Sequence, residues 1–235
     1  MSDLGWLVAR PVAHRGLHDA PAGVIENTPS AIAAAAHAGY AIEVDLQVTA
    51  EGDAVVHHDP ALGRLTDGGG ALAAMTAVEL RRVIFRATAD RMITLGELCD
   101  LVAGRVALVL ELKSLGDRDL RLARRVAQVL KSYPGPTALM SFDPWPMAAL
   151  RELAPASPRG LVASREMRTA AWIPALVTAR PQFIAYAVVD LPAAVPWAAR
   201  RWAGLPLLTW TVRTDVERQR AARFADQMIF EGFRP

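Results

Sequence analysis

The chain has 235 residues, of which 52% are hydrophobic and 21% charged, and 26 Lys plus Arg stand against 24 Asp plus Glu for a net charge of +2. That balance is too apolar for a disordered chain, and its arginines are scattered rather than gathered in a basic tract, so no nucleic-acid partner is expected. A single cysteine, Cys99, excludes an intrachain disulfide and fits a reducing compartment.

No apolar run approaches the ~20 residues of a membrane span. The opening MSDLGWLVARP has neither the basic start nor the long apolar core of a signal peptide. No stable membrane insertion is expected, and the expected location is cytoplasmic.

In chain order, Pro11-Val12-Ala13-His14 reads as a short buried strand ending in His14-Arg15-Gly16. A loop with Pro21 and Gly23 leads to Glu26-Asn27-Thr28-Pro29, where Thr28 suits an N-cap and Pro29 the first helical position. The helix SAIAAAAHAG stops at Gly39. Ala41 to Val48 then reads as a strand, and because strand residues two apart share a face, Glu43 and Asp45 project the same way. Glu51-Gly52-Asp53 turns the chain, and Ala54 to His57 returns to deliver His58-Asp59. In a regular strand His57 faces away from His58.

Loop-like sequence around Asp67-Gly68-Gly69-Gly70 follows. Thr76/Glu79 and Thr94/Glu97 each carry a capping-box signature before a helix. Val106 to Leu112 is a near-continuous apolar strand closing on Glu111-Leu112-Lys113. Helical periodicity covers Asp117 to Ser132, and from there strands and helices alternate to the end of the chain, with an interruption expected near Pro174.

Strands near residues 12, 42, 107, 138, 160, 184, 208 and 228 make eight, nearly all separated by helices. Short apolar runs of this kind suit buried parallel strands, and eight βα units in this length predict a TIM (β/α)8 barrel. An open doubly wound sheet would share the alternation, but no dinucleotide fingerprint or P-loop accompanies it. No linker divides the chain, so residues 1–235 are read as one domain.

In such a barrel the active site lies at the C-terminal ends of the strands, and the polar residues fall there. Glu43, Asp45 and Glu111 are all oxygen donors and suit one hard divalent cation, Mg2+ or Ca2+. The Glu43/Asp45 pair taken alone could equally serve buried arginines. Arg15 and Lys113 supply the positive charge a phosphate needs. His14 and His58 have the side chain whose pKa suits acid–base work near neutrality. Together these residue types point to metal-assisted hydrolysis of a phosphate ester. Cys99 is read as packing, His18 as a loop residue and His37 as a helix-surface residue. Trp197 and Trp202 are read as core residues of an amphipathic helix, with a lipid-facing surface beside the site as the alternative.

The ordered series AHRG, ENTPSAI, EVDLQVTAEGDAVVHHDPALGRLT, ITLGEL, LVLELK, SFDPWPMAALRELAP and LLTWTV resembles the glycerophosphodiester phosphodiesterase family. The resemblance implies a TIM barrel with a small insertion after the second strand, here roughly residues 60–92. It implies that His14 and His58 are the acid–base pair, and that Glu43, Asp45 and Glu111 are the metal ligands. It makes Arg15 and Lys113 the phosphate contacts, puts Glu26 and Asn27 near the site, and makes Trp210 a wall for the glycerol or the leaving group. The small-molecule partner would be a glycerophosphodiester. Lysophospholipase D chemistry on lysolipids, or a barrel that binds phosphodiesters without turnover, are the alternatives; a glycosidase using Glu43 and Glu111 would leave His14, Arg15 and Lys113 without a role. Two positions depart from the family pattern: Arg213 follows Trp-Thr-Val where Asn is usual, and Glu231 stands near the usual Thr-Asp. These departures are expected to lie away from the metal and the histidines and to bear on substrate choice.

Overall fold

The structure is a computed structural model that describes residues 4–235. Residues 1–3 of the segment read against a signal peptide therefore lie outside the described residues. Gly5–Val8 form a one-turn helix, α1, that the sequence reading did not anticipate.

The strands are β1 (Val12–Ala13), β2 (Ala41–Val48), β3 (Ala54–Val56), β4 (Leu108–Leu112), β5 (Thr137–Ser141), β6 (Arg159–Ala163), β7 (Phe183–Ala187), β8 (Leu207–Val212) and β9 (Gln227–Phe230). All except β3 run parallel, and β1 pairs with both β2 and β9, which closes the sheet into an eight-stranded barrel. The TIM barrel expected from the strand count is the fold observed. β3 pairs antiparallel with β2 as the predicted return strand.

Between successive barrel strands run α2 (Pro29–His37), α4 (Leu95–Val102), α5 (Arg121–Leu130), α6 (Pro144–Leu153), α7 (Thr169–Ala179), α8 (Ala194–Trp202) and α9 (Asp215–Phe224). The short α3 (Ala77–Arg82) belongs to the segment after β3. Both predicted capping boxes form, at Thr76/Glu79 and Thr94/Glu97, and a third caps α9 at Thr214/Glu217. Thr28 sits at the N-cap of α2 but caps nothing with its side chain; its hydroxyl donates to Ile25 O at 2.7 Å. α7 runs on through Pro174 rather than breaking there.

Strand alternation sorts the residues into two layers. Val12, Ala41, Val109, Ala138, Met140, Val162, Phe183, Ala185, Leu208 and Ile229 fill the barrel interior. Their strand neighbours, such as Ile42, Val44, Leu46, Leu108, Leu110 and Leu112, pack outward against the helices. Gly160 makes room for the Phe183 ring, since a Cβ there would lie 2.2 Å from it. Leu7 of α1 joins the interior cluster, and Gln227 Nε2 donates to Val8 O at 2.9 Å, so α1 caps the N-terminal end of the barrel. Leu72, Leu80, Phe85 and Met92 of the segment after β3 form a small core with Ile25 and Val55. No helix among the described residues is long and apolar enough to cross a membrane.

Candidate active site

The interior period of two continues upward to the C-terminal strand ends, where it changes from apolar to polar. Along β2 it runs Ala41, Glu43, Asp45; along β4, Val109, Glu111, Lys113. On β1 it passes from Val12 to His14 and on β9 from Ile229 to Glu231. Asp45 and Glu111 are register partners across β2 and β4. Glu43 and Asp45 are each 1% exposed, so their charges need partners; an uncompensated ion there would cost several kcal/mol.

Much of that compensation comes from three neighbours. Lys113 Nζ lies 2.8 Å from Asp45 Oδ1 and also bonds Glu111. Arg15 Nε lies 3.2 Å from Asp45 Oδ2, while its Nη1 donates to Glu26 at 2.7 Å. Asn27 is fully buried and grips Asp45 twice, donating from Nδ2 at 2.8 Å and accepting the Asp45 backbone N–H at 3.3 Å. The turn His14-Arg15-Gly16 places Arg15 in the left-handed region (φ 56°), which aims its backbone N–H at Glu43 Oε2, 3.0 Å away. Gly16 is required there, because a Cβ would meet the Ala31 backbone at 2.7 Å.

Burial would raise Asp45, but Lys113 and Arg15 outweigh it and hold the carboxyl down at about 2. Glu43 behaves oppositely: burial, then the Asp45 and Glu111 carboxylates beside it, push it well above the usual range. Burial also raises Glu111 despite Lys113. Burial works against the Lys113 ammonium, but Asp45 and Glu111 keep it above its ordinary value.

The Glu43, Asp45 and Glu111 carboxylates offer ligand atoms that all lie within 4.8 Å of one another, and Glu43 Oε1 is buried with no hydrogen-bond partner. An oxygen-only set with an orphaned buried carboxylate oxygen fits a hard divalent cation.

Both predicted histidines line the same cavity, of about 280 Å³, together with Arg15, Glu43, Glu111, Lys113 and Trp210. Each uses Nδ1 on a carboxylate: His58 on Asp59 at 2.8 Å and His14 on Glu231. His14 Nε2 lies 4.0 Å from Glu43 Oε2. Burial lowers the His14 pKa, with the Glu231 bond acting against it. Trp210 packs edge-on against Phe142 at 5.5 Å between ring centroids, and its Nε1 is buried without a partner. Met140, Ala187, Val189 and Ile229 complete this apolar side of the cavity. Glu26 lies behind Arg15 and does not line the cavity. His57 turns away as expected and packs on Phe85.

Several expectations need correction. Glu231 and Arg213 do not lie away from the histidines. Glu231 bonds His14, lies 3.5 Å from His18 Nε2, and accepts from Arg213 Nε at 2.6 Å. His18 therefore reaches the site rather than idling in its loop. Glu231 could have been found in the sequence as the residue two beyond Ile229 on an inward face; the approach of His18 has no sequence signal. Arg64 was also missed: it holds Asp59 (Nε to Oδ2, 2.5 Å) and Glu26 (Nη2 to Oε1, 2.7 Å). Trp197 and Trp202 are 49% and 76% exposed, so they are not core. Trp197 borders a cavity of about 930 Å³ with Gly5, Gln182 and Pro206, at the N-terminal strand ends and away from the histidines. Cys99 is buried in packing as expected, its thiol pushed up to about 12 by burial.

A family model described as the glycerophosphoryl diester phosphodiesterase family matches residues 14–233. Among solved structures, a phosphodiesterase of Oleispira antarctica in complex with the product sn-glycerol-3-phosphate superposes with a TM-score of 0.82 at 21% identity, covering 96% of this chain and 94% of that one. A glycerophosphodiester phosphodiesterase of Thermotoga maritima gives 0.74 at 22% identity, covering 94% of each chain. At these identities the likeness is one of fold. The curated relative glycerophosphodiester phosphodiesterase 1 of Bos taurus is 46% identical over 74 residues, which span 31% of this chain and only 21% of that protein.

Proposed function

Because this chain belongs to the glycerophosphoryl diester phosphodiesterase family, we propose that it hydrolyses glycerophosphodiesters to an alcohol and sn-glycerol 3-phosphate. The observation that carries this reading is the convergence, in one cavity, of the Glu43–Asp45–Glu111 cluster, the cations Arg15 and Lys113, and two histidines each backed by a carboxylate. Residues 1–235 act as one barrel domain, with roughly 60–92 as an insertion after β2. The lone buried thiol suits a cytoplasmic setting.

Glu43, Asp45 and Glu111 would hold one divalent cation, Mg2+ or Ca2+. When bound, it supplies Lewis-acid neutralisation of phosphoryl oxygens. Arg15 and Lys113 line the same cavity and would stabilise charge as it develops on those oxygens. Asn27 keeps Asp45 in place, and Glu26 keeps Arg15 in place. One of His14 and His58 takes the proton of the nucleophile, and the other protonates the leaving alkoxide. Trp210 and Phe142 wall one arm of the diester.

A second reading keeps the chemistry and moves it to a lysolipid substrate, with lysophosphatidic acid as the phosphate product and the head-group alcohol leaving. It is favoured by Phe142 and Val189, which line the cavity and are 45% and 63% exposed. The test follows glycerol 3-phosphate release from glycerophosphodiesters such as glycerophosphocholine and, in parallel, lysophosphatidic acid release from lysophosphatidylcholine, with EDTA and with each divalent ion restored. Expected is turnover that falls below about 1% on chelation and returns with Mg2+ or Ca2+. EDTA-resistant turnover would remove the metal role; no release from any diester would leave a binding barrel.

A further inference from the structure

We propose that Glu231 is the positioning residue of His14: its carboxylate accepts the Nδ1 proton of the imidazole, leaves Nε2 bare toward the reaction centre, and is itself fixed by Arg213. The proposal rests on the reaction proposed above for its kinetic arm only.

The geometry starts in the backbone. His14 N–H donates to Phe230 O at 2.9 Å, and Glu231 N–H donates to Val212 O at 3.1 Å. β1, β9 and the end of β8 are thus laced together where His14, Glu231 and Arg213 emerge. Both oxygens of Glu231 are engaged, Oε1 by Arg213 Nε and Oε2 by His14 Nδ1, with His18 Nε2 at 3.5 Å from the latter. A neutral imidazole carries one N–H, and the partner on one nitrogen decides where it sits. A carboxylate at Nδ1 selects the Nδ1–H form and stops the ring from turning, so Nε2 keeps a lone pair. That nitrogen is the one on the Glu43 side, 4.0 Å from Oε2.

His14, His18 and Glu231 also lie close enough to resemble a metal cluster. The Glu43–Asp45–Glu111 set leaves Glu43 Oε1 without a partner, whereas both oxygens of Glu231 are already hydrogen-bonded, Oε1 by Arg213 and Oε2 by His14, so the second cluster is read as a hydrogen-bonded array. Arg213 Nε donates to Glu231 Oε1 at 2.6 Å, so the two residues that depart from the family pattern bond each other.

Two substitutions separate positioning from mere structure. Glu231→Gln keeps the size, but its amide can present N–H to Nδ1 and favour the opposite tautomer. Glu231→Asp keeps the charge one methylene short. Expected for Glu231→Gln is a kcat loss of about 10²–10⁴-fold with KM within about threefold. Glu231→Asp should recover at least about tenfold of that loss. Independently of any substrate, 15N NMR of histidine-labelled protein at about pH 8 should show His14 as Nδ1–H in the wild type and Nε2–H in Glu231→Gln, with the signal assigned by its loss in His14→Asn. An unchanged tautomer in folded Glu231→Gln overturns the proposal, as does a kcat within about threefold of wild type. Should the wild type turn over no diester, the proposed reaction fails while the tautomer still decides the role of Glu231.

Discussion

Two histidine arms meet at the mouth of the barrel with the same wiring and different construction. In one, His58 leans on Asp59 and Asp59 on Arg64. In the other, His14 leans on Glu231 and Glu231 on Arg213. The first arm is drawn from residues 58–64, in the loop after β3, and its histidine side chain is 34% exposed. The second is gathered from β1, β9 and the end of β8, with partners 217 positions apart and the histidine side chain 12% exposed. Groups held on barrel strands are placed more precisely than groups held on loops. Water can also stand in for a lost partner in the open arm far more easily than in the closed one. The same hydrogen-bonding logic should therefore be worth more in the His14 arm.

The largest effects test whether the two arms serve one reaction. His14→Ala and His58→Ala should each lower kcat by about 10²–10⁴-fold. If one arm takes a proton and the other gives one in the same turnover, the double variant should be little slower than the slower single, because groups that act as a unit are not additive. Losses that multiply in the double variant would mean that the arms work in separate steps. Near-normal activity in either single would remove that arm from the chemistry.

The middle effect separates the arms. Asp59→Asn removes the charge behind His58, the more exposed of the two rings, where solvent can take its place, and should cost about tenfold in kcat against the larger loss expected at Glu231. Equal losses at Asp59 and Glu231 would show that burial does not set the difference.

The contrast also marks what the sequence could disclose. The His58 arm lies within one short stretch: strand period put Glu43 and Asp45 on one face, and the return strand Ala54–Val56 carried His58 toward them. The eight barrel strands were legible for the same reason: each is a short apolar run between helices. His14 was legible as a strand-end residue, but its carboxylate was not, since nothing local links residue 14 to residue 231. Only the closure of β1 onto β9 brings them together. Trp197 and Trp202 were misread because amphipathic spacing says which residues share a helix face, not whether that face is covered. Arg64 was lost in a loop whose order comes from ion pairs rather than from periodicity.

The smallest effect concerns Arg64 and turns on pH. Burial alone would raise the Asp59 and Glu26 carboxyls, but hydrogen bonds from Arg64 outweigh it, and both sit below the usual range. A carboxyl lowered in the folded state adds stability above its unfolded pKa and loses it as pH falls through the folded value. Because the Arg64 side chain is 45% exposed, solvent screening limits each exposed pair to roughly 0.2–1 kcal/mol. Arg64→Ala should therefore lower Tm by about 1–4 °C near neutrality. The gap should stay constant from about pH 8 to 5 and close below about pH 4, with kcat reduced by no more than about threefold. Thermal unfolding across that range reads it directly. A gap that survives at low pH would assign the loss to the packing of the arginine stem rather than to its charge. A rise in KM without a change in kcat would instead place Arg64 against the substrate, and the open arm would then differ from the closed one in function as well as in construction.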